Sequence, residues 1–401
     1  MQQAGEFRRN WRVLAGAMIG IASSLSLNSY ILSTFQPYFL KEFGWTKAQW
    51  AGLATVQLLM VIVLPIVGRM SDTIGVWRTA LIGGISFPVF LVAIAMMDGN
   101  INHYLLLYIG QTLLGATATS TVFARVVAER FSKNRGLALG LCSAGSPLVA
   151  FIGSPLISAF VRDHGFRAGY LTVALFCGIC SVLMLTLLYG VEEKRTHQRQ
   201  RRAWSDYREI FAMPVFWIML LATFLINLPF SLATAQLKLV VSEQGLPDAT
   251  AALLVSAFAL ASVGGRFLFG VMVDRLNPAR VAAFGFGLPV IGLLLLFSPL
   301  DTLPWVLTAM VMIGVSFGSE ADVIPFLVNR QFGILRFGSI FGLLMAATGG
   351  AMGMGNILLA VVLKATGSFD AYLLICAASA CVGSLLFLLL GTKRFMPVQS
   401  S

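Results

Sequence analysis

The sequence predicts an all-α membrane protein with twelve transmembrane helices arranged as two related six-helix bundles. Three observations support this prediction: the composition is strongly apolar, the apolar segments are long enough to cross a bilayer, and the second half of the chain repeats the first. Of the 401 residues, 58% are hydrophobic and only 11% are charged, and the mean hydropathy is +0.84. Soluble domains carry about 25% charged residues, so the composition indicates a chain embedded in lipid.

Twelve apolar segments approach or exceed the roughly 20 residues that a helix needs to cross the hydrocarbon core. The first six spans are predicted near 13–35, 48–68, 79–97, 104–127, 137–161 and 168–190, and the second six near 214–236, 249–272, 280–299, 304–328, 338–363 and 369–391. A long polar linker separates them. The predicted domains are therefore an N-terminal bundle at 1–190, a cytoplasmic linker at 191–213 and a C-terminal bundle at 214–401.

The two predicted bundles share residues at a nearly constant offset. Gly68 and Asp72 recur as Gly270 and Asp274, each 202 residues further on. Such an offset indicates one ancestral half laid down twice, which is a recurrent architecture of secondary transporters. The repeat also serves as a control, because a polar residue present in only one half is not explained by the shared scaffold.

The distribution of Lys and Arg predicts the orientation of the chain. With the N terminus inside, the cytoplasmic segments hold 21 of these residues and the outside gaps hold 6. This bias predicts a multi-pass protein of the cytoplasmic (inner) membrane with both termini in the cytoplasm. The net charge of +11 lies in short gaps between apolar runs, so it does not indicate nucleic-acid binding. The first apolar run is too long for a signal-peptide core, and we interpret it as an uncleaved span.

The loop between spans two and three carries a recognisable spacing, Gly68-x-x-x-Asp72-x-x-Gly75-x-x-Arg78. It resembles the signature loop of the major facilitator superfamily, and the second copy around Asp274 supports the resemblance. In that family the loop latches the two halves on the cytoplasmic side. The resemblance therefore implies a gating role for Asp72, Arg78, Arg125 and Asp274. Each of these residues lies at or near the cytoplasmic end of a predicted span. Arg125 and Arg130 are candidate partners of Asp72.

Within the superfamily the chain is similar to the monocarboxylate and oxalate/formate branch. The residues that carry this similarity are Glu42–Thr46, Arg135–Gly140, Gly165–Arg167 and Arg266. In that branch the span-eight arginine binds the substrate carboxylate, which implies this role for Arg266. The sequence also departs from the branch: Ser262 replaces the aspartate of the animal carriers, and spans one and eleven contain no buried second cation. A single cation favours a monoanion.

Three deep charges break the repeat: Arg266, Glu320 and Asp322. Their first-half counterparts are Leu64, Ala118 and Ser120. A charge at bilayer depth costs at least about 2.5–3.5 kcal/mol and usually faces a cavity or a partner. Arg266 and Glu320 could be a structural pair between two helices. Alternatively, Arg266 binds a substrate carboxylate while Glu320 or Asp322 takes up a proton, since burial favours the neutral form of a carboxyl group. A gating role near the cytoplasmic mouth is a third possibility.

Neutral polar residues inside the spans are further candidates for substrate binding. They are Asn28, Tyr30, Gln111, Ser143, Asn227 and Asn356. Each of them could equally make a hydrogen bond between helices. Several prolines inside spans, Pro229 and Pro289 among them, favour kinks.

The leading prediction is a secondary carrier of a small organic anion, coupled to a proton and acting as a monomer. Its rivals are an efflux carrier of amphipathic compounds and a sensor that does not transport. An enzyme is not expected: the sequence lacks an HExxH motif, a phosphate-binding loop and an intramembrane histidine. No catalytic residue, cofactor or metal is predicted, and the five cysteines fall in apolar runs typical of packing residues.

Overall fold

The computed structural model describes residues 2–45, 53–191, 205–230, 248–298, 302–366 and 368–391. Within these ranges every regular element is a helix. The helices of the first half are α1 (Gln2–Ala22), α2 (Asn28–Phe43), α3 (Met60–Thr73), α4 (Val76–Ala95), α5 (Ile101–Gly115), α6 (Ser120–Arg130), α7 (Arg135–Ser143) and α8 (Gly145–Leu188). Helix α8 is interrupted at Gly165, whose φ of 82° only glycine adopts readily.

The second half begins with a short helix in the predicted linker. The helices are α9 (Ser205–Ala212), α10 (Pro214–Asn227), α11 (Asp248–Arg275), α12 (Pro278–Phe297), α13 (Leu303–Phe332), α14 (Phe337–Thr366) and α15 (Asp370–Leu389). The rest of the linker, 192–204, lies outside the described residues.

Nine helical segments in the described part of the chain are long and apolar enough to cross a membrane. The predicted spans one, two and seven are not among them. The described helices of spans one and seven are shorter than the predicted spans, and span two combines α3 with a preceding 3-10 segment at Ala54–Leu59. These three spans account for the difference between nine continuous segments and the twelve predicted from hydropathy.

Two predicted spans that looked continuous are broken. In span one, α1 ends at Ala22 and α2 starts at Asn28, with extended backbone at Ser24 (φ −121°, ψ −165°). In span four, α5 and α6 are separated by a short 3-10 turn and by extended backbone at Thr119 (φ −112°, ψ 176°). The sequence placed spans at 13–35 and 104–127 but did not predict these interruptions of the helical backbone.

Hydroxyl groups satisfy backbone carbonyls at both breaks. Ser23 donates to the carbonyl of Ile19 at 2.7 Å, and Thr119 donates to the carbonyl of Ala116 at 2.9 Å. An unsatisfied carbonyl inside a bilayer costs several kcal/mol, so these short hydrogen bonds permit the helix to stop at membrane depth.

The predicted span seven, 214–236, is interrupted within its described part. Helix α10 ends at Asn227 and a turn follows at Leu228 and Pro229, after which 231–247 lie outside the described residues. By contrast, Pro289 lies within the unbroken helix α12. A proline in a span therefore did not by itself mark a break.

The chain divides into two compact units. Unit 1 contains 1–133, 141–202 and 334–342, and unit 2 contains 134–140, 203–333 and 343–401. The first residues of α7 thus belong to unit 2, although the chain continues into unit 1. The first residues of α14 belong in the same way to unit 1.

Candidate functional site

Close packing between α11 and α13 in unit 2 fixes the position of Arg266. Gly265 lies against the backbone of Val315, where a Cβ atom would come within 2.9 Å of the Val315 Cα. Gly318 lies against the carbonyl of Ser262, and a Cβ there would lie 3.0 Å from the backbone nitrogen of Arg266. Both glycines leave no room for a side chain, which lets the two helix backbones approach closely.

Glu320, on α13, is the centre of a hydrogen-bonded cluster that joins three helices of unit 2. Its Oε1 accepts a hydrogen bond from the Asn227 amide of α10 at 2.8 Å and one from the Thr348 hydroxyl of α14 at 3.2 Å. Asn227 is fully buried and also donates to the carbonyl of Thr223 at 2.8 Å. Thr348 was not predicted from the sequence, because a single hydroxyl in an apolar span gives no distinguishing signal.

Arg266 and Asp322 are the other two deep charges of unit 2. Arg266 is half-buried, and its positive charge interacts with Glu320. Asp322 is fully buried, and its Oδ2 lies 3.1 Å from the position of a Cβ on Gly140. The same Cβ position is 3.1 Å from the carbonyl oxygen of Arg266. Glu320 and Asp322 thus face different neighbours. Gly140, the last residue of α7 that belongs to unit 2, packs directly against Arg266 and Asp322.

A second carboxylate of unit 2 holds the start of α7. Asp274 accepts hydrogen bonds from the backbone N–H groups of Gly136 at 2.7 Å and of Leu137 at 3.0 Å. The first N–H groups of a helix have no partner inside the helix, and the helix dipole favours negative charge there. Arg135 in turn lies 5.8 Å from the Phe326 ring centroid, and it donates to the Asn329 side-chain oxygen once that amide is oriented to accept.

The equivalent arrangement in unit 1 involves Asp72 and the start of α14. Asp72 accepts from the backbone N–H groups of Gly338 at 3.0 Å and Ser339 at 2.6 Å, and from the Ser339 hydroxyl at 2.7 Å. It also pairs with Arg125, which is fully buried and donates to the carbonyl of Ser71 as well. The structure thus brings Asp72 and Arg125 together.

The predicted neutral residues are distributed between the two units. Asn28 and Gln111 are buried in unit 1, and their side-chain N–H groups have no hydrogen-bond partner among the residues that the structure describes. Ser143 is buried at the end of α7, whereas Asn356 on α14 is exposed. The Tyr30 side chain lies outside the described residues. Arg78 and Arg130, two further cations of unit 1, are exposed and are not part of the Asp72 cluster.

Contacts along unit 1 place Asn28 and Gln111 at a similar depth. Helices α1 and α6 run antiparallel, since Asn10 donates to the carbonyl of Arg130 at 3.0 Å while Gly20 packs against Phe123. Further along, Leu25 lies against Gly115, with 3.4 Å between its Cβ and a Cβ built on the glycine. Three residues beyond Leu25 is Asn28, and four residues before Gly115 is Gln111, so the two amides lie at the same level beside the two helix breaks.

Comparison with known proteins identifies the family. The model of the Major Facilitator Superfamily matches residues 17–333 of the chain. The chain belongs to this superfamily. The predicted fold class, with twelve helices in two halves, is confirmed by this membership, and members of the superfamily are membrane transporters rather than enzymes.

Curated relatives of this superfamily member include named monocarboxylate carriers. Monocarboxylate transporter 4 of Mus musculus is 25% identical over 396 residues, which cover 95% of this chain and 83% of the relative. Monocarboxylate transporter 11 of Homo sapiens is 25% identical over 398 residues, covering 95% and 81%. The predicted similarity to the monocarboxylate branch is thereby supported at low identity.

Solved structures with the same fold include two transporters. The fucose:proton symporter of E. coli has a TM-score of 0.71 at 15% identity and covers 95% of this chain and 98% of its own. A human organic anion transporter has a TM-score of 0.69 at 16% identity, with 96% and 98% covered. At these identities the likeness concerns the fold alone.

Proposed function

We propose that this superfamily member carries a small organic anion, a monocarboxylate, across the inner membrane together with a proton. The observation that carries the proposal is the cluster in unit 2, in which Glu320 accepts hydrogen bonds from Asn227 and Thr348 and its charge interacts with that of Arg266. The relatives named as monocarboxylate transporters support the choice of substrate class.

Arg266 is the proposed carboxylate ligand. A guanidinium group stays protonated under all physiological conditions and offers a planar fork that fits the two oxygens of a carboxylate. Arg266 is half-buried rather than enclosed, so part of the side chain remains accessible. The close packing at Gly265 and Gly318 holds its backbone in place. A rigid backbone below a long side chain favours a fixed binding geometry.

Glu320 is the proposed proton carrier. When Glu320 is ionised, its negative charge balances the positive charge of Arg266. When it takes up a proton, the pair gains a net positive charge, and a substrate carboxylate then restores neutrality. This exchange couples the entry of one proton to the entry of one anion. Asn227 and Thr348 hold the Glu320 side chain through Oε1, which accepts hydrogen bonds in either protonation state.

Asp322 is a second carboxyl group available for the proton. It is buried against α7 at Gly140, and α7 is the helix whose first N–H groups are held by Asp274. A change of charge at Asp322 would therefore act directly on α7. We propose this helix as the element that links the proton site to gating at Asp274.

Within unit 1, Asn28 and Gln111 are proposed substrate-binding residues. The amide N–H groups of Asn28 and Gln111 are buried without a partner in the described part of the chain. A buried donor that makes no hydrogen bond costs about 1–3 kcal/mol. A substrate oxygen or a water molecule would remove that cost. Asp72, Arg125 and Arg78 are proposed gating residues with both chain termini in the cytoplasm.

Uptake into proteoliposomes tests the substrate role of Arg266. We expect Arg266→Ala and Arg266→Lys each to reduce uptake of labelled monocarboxylates by at least about 100-fold, because the lysine ammonium lacks the bidentate fork. Arg280→Lys, at an exposed arginine of the same unit, serves as the control and should retain uptake. Full uptake by Arg266→Lys would contradict a bidentate role, and full uptake by Arg266→Ala would remove Arg266 from the site.

The same vesicles test the proton role of Glu320. Glu320→Gln keeps a hydrogen-bond acceptor for Asn227 but cannot be ionised. We expect exchange of internal for external monocarboxylate to persist, while accumulation driven by a pH gradient is lost. Glu42→Gln, at an exposed position, is the matched control. Unchanged gradient-driven accumulation in Glu320→Gln would exclude Glu320 as the coupling group. Resistance of cells to amphipathic drugs, with no monocarboxylate uptake, would favour the efflux alternative.

A further inference from the structure

One end of unit 1 carries a small basic pocket that the transport proposal does not use. The pocket has a volume of about 270 Å³ and is lined by Arg9, Asn10, Arg12, Arg130, Gly190 and Val191. It lies where α1, the last residue of α6 and the end of α8 meet. Pockets for drug-sized ligands usually measure about 300–1,000 Å³, so this one suits a smaller group.

The positive charge of the pocket is not neutralised by the described residues around it. Arg9 and Arg130 are exposed and have no carboxylate partner in the part of the chain that the structure describes. The nearby acid on α1 is Glu6, whose Oε1 accepts from the backbone N–H of Ser132 at 2.8 Å and from its hydroxyl at 3.1 Å. That carboxylate is therefore engaged by the loop after α6.

The polar groups deeper in the pocket hold its walls in place. The Asn10 amide donates to the carbonyl of Arg130, the last residue of α6, at 3.0 Å. Arg12 reaches the carbonyl of Thr186 on α8 through Nη2 at 3.5 Å. These contacts join the three helices, so the pocket is formed without a ligand. Several arginines around one small volume are the arrangement that recognises a phosphate, since each guanidinium offers a fork of donors.

Aromatic side chains place the pocket at the membrane surface. Trp11 lies between the pocket arginines on α1 and is 54% exposed, and Tyr189, 69% exposed, directly precedes Gly190. The Tyr189 ring lies 5.8 Å from that of Trp77. Exposed Trp and Tyr are enriched at the level of lipid headgroups, where an apolar ring and a polar tip are both satisfied.

We propose that this pocket binds the phosphate of an anionic phospholipid headgroup. The pocket lies at the end of unit 1 that the charge bias assigns to the cytoplasm, where the leaflet carries anionic lipids. The headgroup phosphate contacts Arg9 and Arg130, and the acyl chains extend along the apolar surface of unit 1. The lipid would join α1, α6 and α8 at their cytoplasmic ends.

Binding of defined lipids to the purified full chain in detergent tests the proposal. Native mass spectrometry would compare phosphatidylglycerol with phosphatidylcholine of the same acyl chains. We expect clear preference for phosphatidylglycerol, and a loss of about 30-fold in Arg9→Gln/Arg130→Gln, because each basic side chain contributes roughly a factor of five near an anionic lipid. The control Arg8→Gln/Arg208→Gln removes two exposed arginines outside the pocket and should retain the preference.

Four results would overturn the proposal. The first two are equal binding of phosphatidylglycerol and phosphatidylcholine, and an equal loss of phosphatidylglycerol binding in the two double variants. The third is displacement of bound lipid by millimolar inorganic phosphate as effectively as by added lipid. The fourth is tighter phosphatidylglycerol binding after nearby acidic residues are replaced. For the last, Glu192 and Glu193 follow Val191 in the chain and lie outside the described residues. Glu192→Gln/Glu193→Gln should leave phosphatidylglycerol binding unchanged, whereas a tenfold gain would show that the chain itself neutralises the arginines.

Discussion

Two neighbouring glycines on α11 offer a sharp test of whether helix packing positions Arg266. A Cβ on Gly265 would lie 2.9 Å from the Cα of Val315, whereas a Cβ on Gly264 would have no atom within 4 Å. The Val315 carbonyl oxygen would lie closer still, and atoms in ordinary contact are about 3.5–4.0 Å apart, so Gly265→Ala must separate α11 from α13 by about 1 Å or more. Gly264→Ala requires no movement.

Comparing Gly265→Ala with Gly264→Ala also removes the effect of helix propensity on stability. Replacing Gly by Ala in a helix gains up to about 1 kcal/mol, and both variants receive this gain. Overpacking costs typically 1–3 kcal/mol, and only Gly265→Ala incurs it. At about 2–4 °C per kcal/mol for a domain of this size, the melting temperature of Gly265→Ala should fall roughly 2–12 °C below that of Gly264→Ala.

Transport should separate the two variants more strongly than stability does. A displacement of about 1 Å at a binding residue can cost on the order of 100-fold in rate. We therefore expect monocarboxylate uptake to be retained in Gly264→Ala and nearly lost in Gly265→Ala, measured on equal amounts of reconstituted protein. Equal melting temperatures and equal uptake in the two variants would refute the claim that close packing at Gly265 sets the geometry of Arg266.

Two further predictions concern groups that hold carboxylates. Thr348→Val should reduce proton-coupled uptake at least about tenfold, because a hydrogen bond to a charged group contributes about 1.5–3 kcal/mol, whereas Thr348→Ser should retain uptake in the same vesicles. Asp72→Asn should lower the free energy of unfolding more than Asp274→Asn, by about 3–5 kcal/mol, since it leaves the buried Arg125 without its counter-charge. Thermal unfolding of both variants in detergent checks this order, and a larger effect at Asp274 would contradict it.

Hydropathy and the repeat predicted the fold because both depend on the average character of long segments. Twenty apolar residues have one stable arrangement in lipid, and a constant offset needs no knowledge of side-chain contacts. The backbone breaks were not predictable in this way. At Thr119 the break depends on a hydroxyl that happens to reach a nearby carbonyl, while Pro325 lies within an unbroken α13. Local satisfaction of hydrogen bonds, rather than the presence of proline, decides where a span stops.

The candidate site was predictable in its charged members and in Asn227, a polar residue inside a span. Arg266 and Glu320 differ from everything around them, so burial cost alone draws attention to them. Thr348 and Gly140 do not, because a threonine or a glycine in a span is common. Their importance comes from neighbours distant in sequence: Thr348 lies 28 residues from the carboxylate that it contacts. A single sequence contains no signal for such a pairing.

At one pair of equivalent positions, the two halves differ both in the chemistry of their side chains and in the conformation of their backbone. Glu320 and Asp322 correspond to Ala118 and Ser120 in the first half. Around Ala118 the helix is interrupted, and its carbonyls are satisfied by local hydroxyls such as that of Thr119. Around Glu320 the helix is continuous, and the Glu320 side chain accepts its hydrogen bonds from residues of other helices.

A continuous helix can hold a charged group at a fixed depth, because its backbone needs no local hydroxyl. An interrupted helix instead offers neutral groups and some freedom at the break. This difference supports the proposal that unit 2 holds the charge-bearing site while unit 1 supplies neutral hydrogen-bond donors.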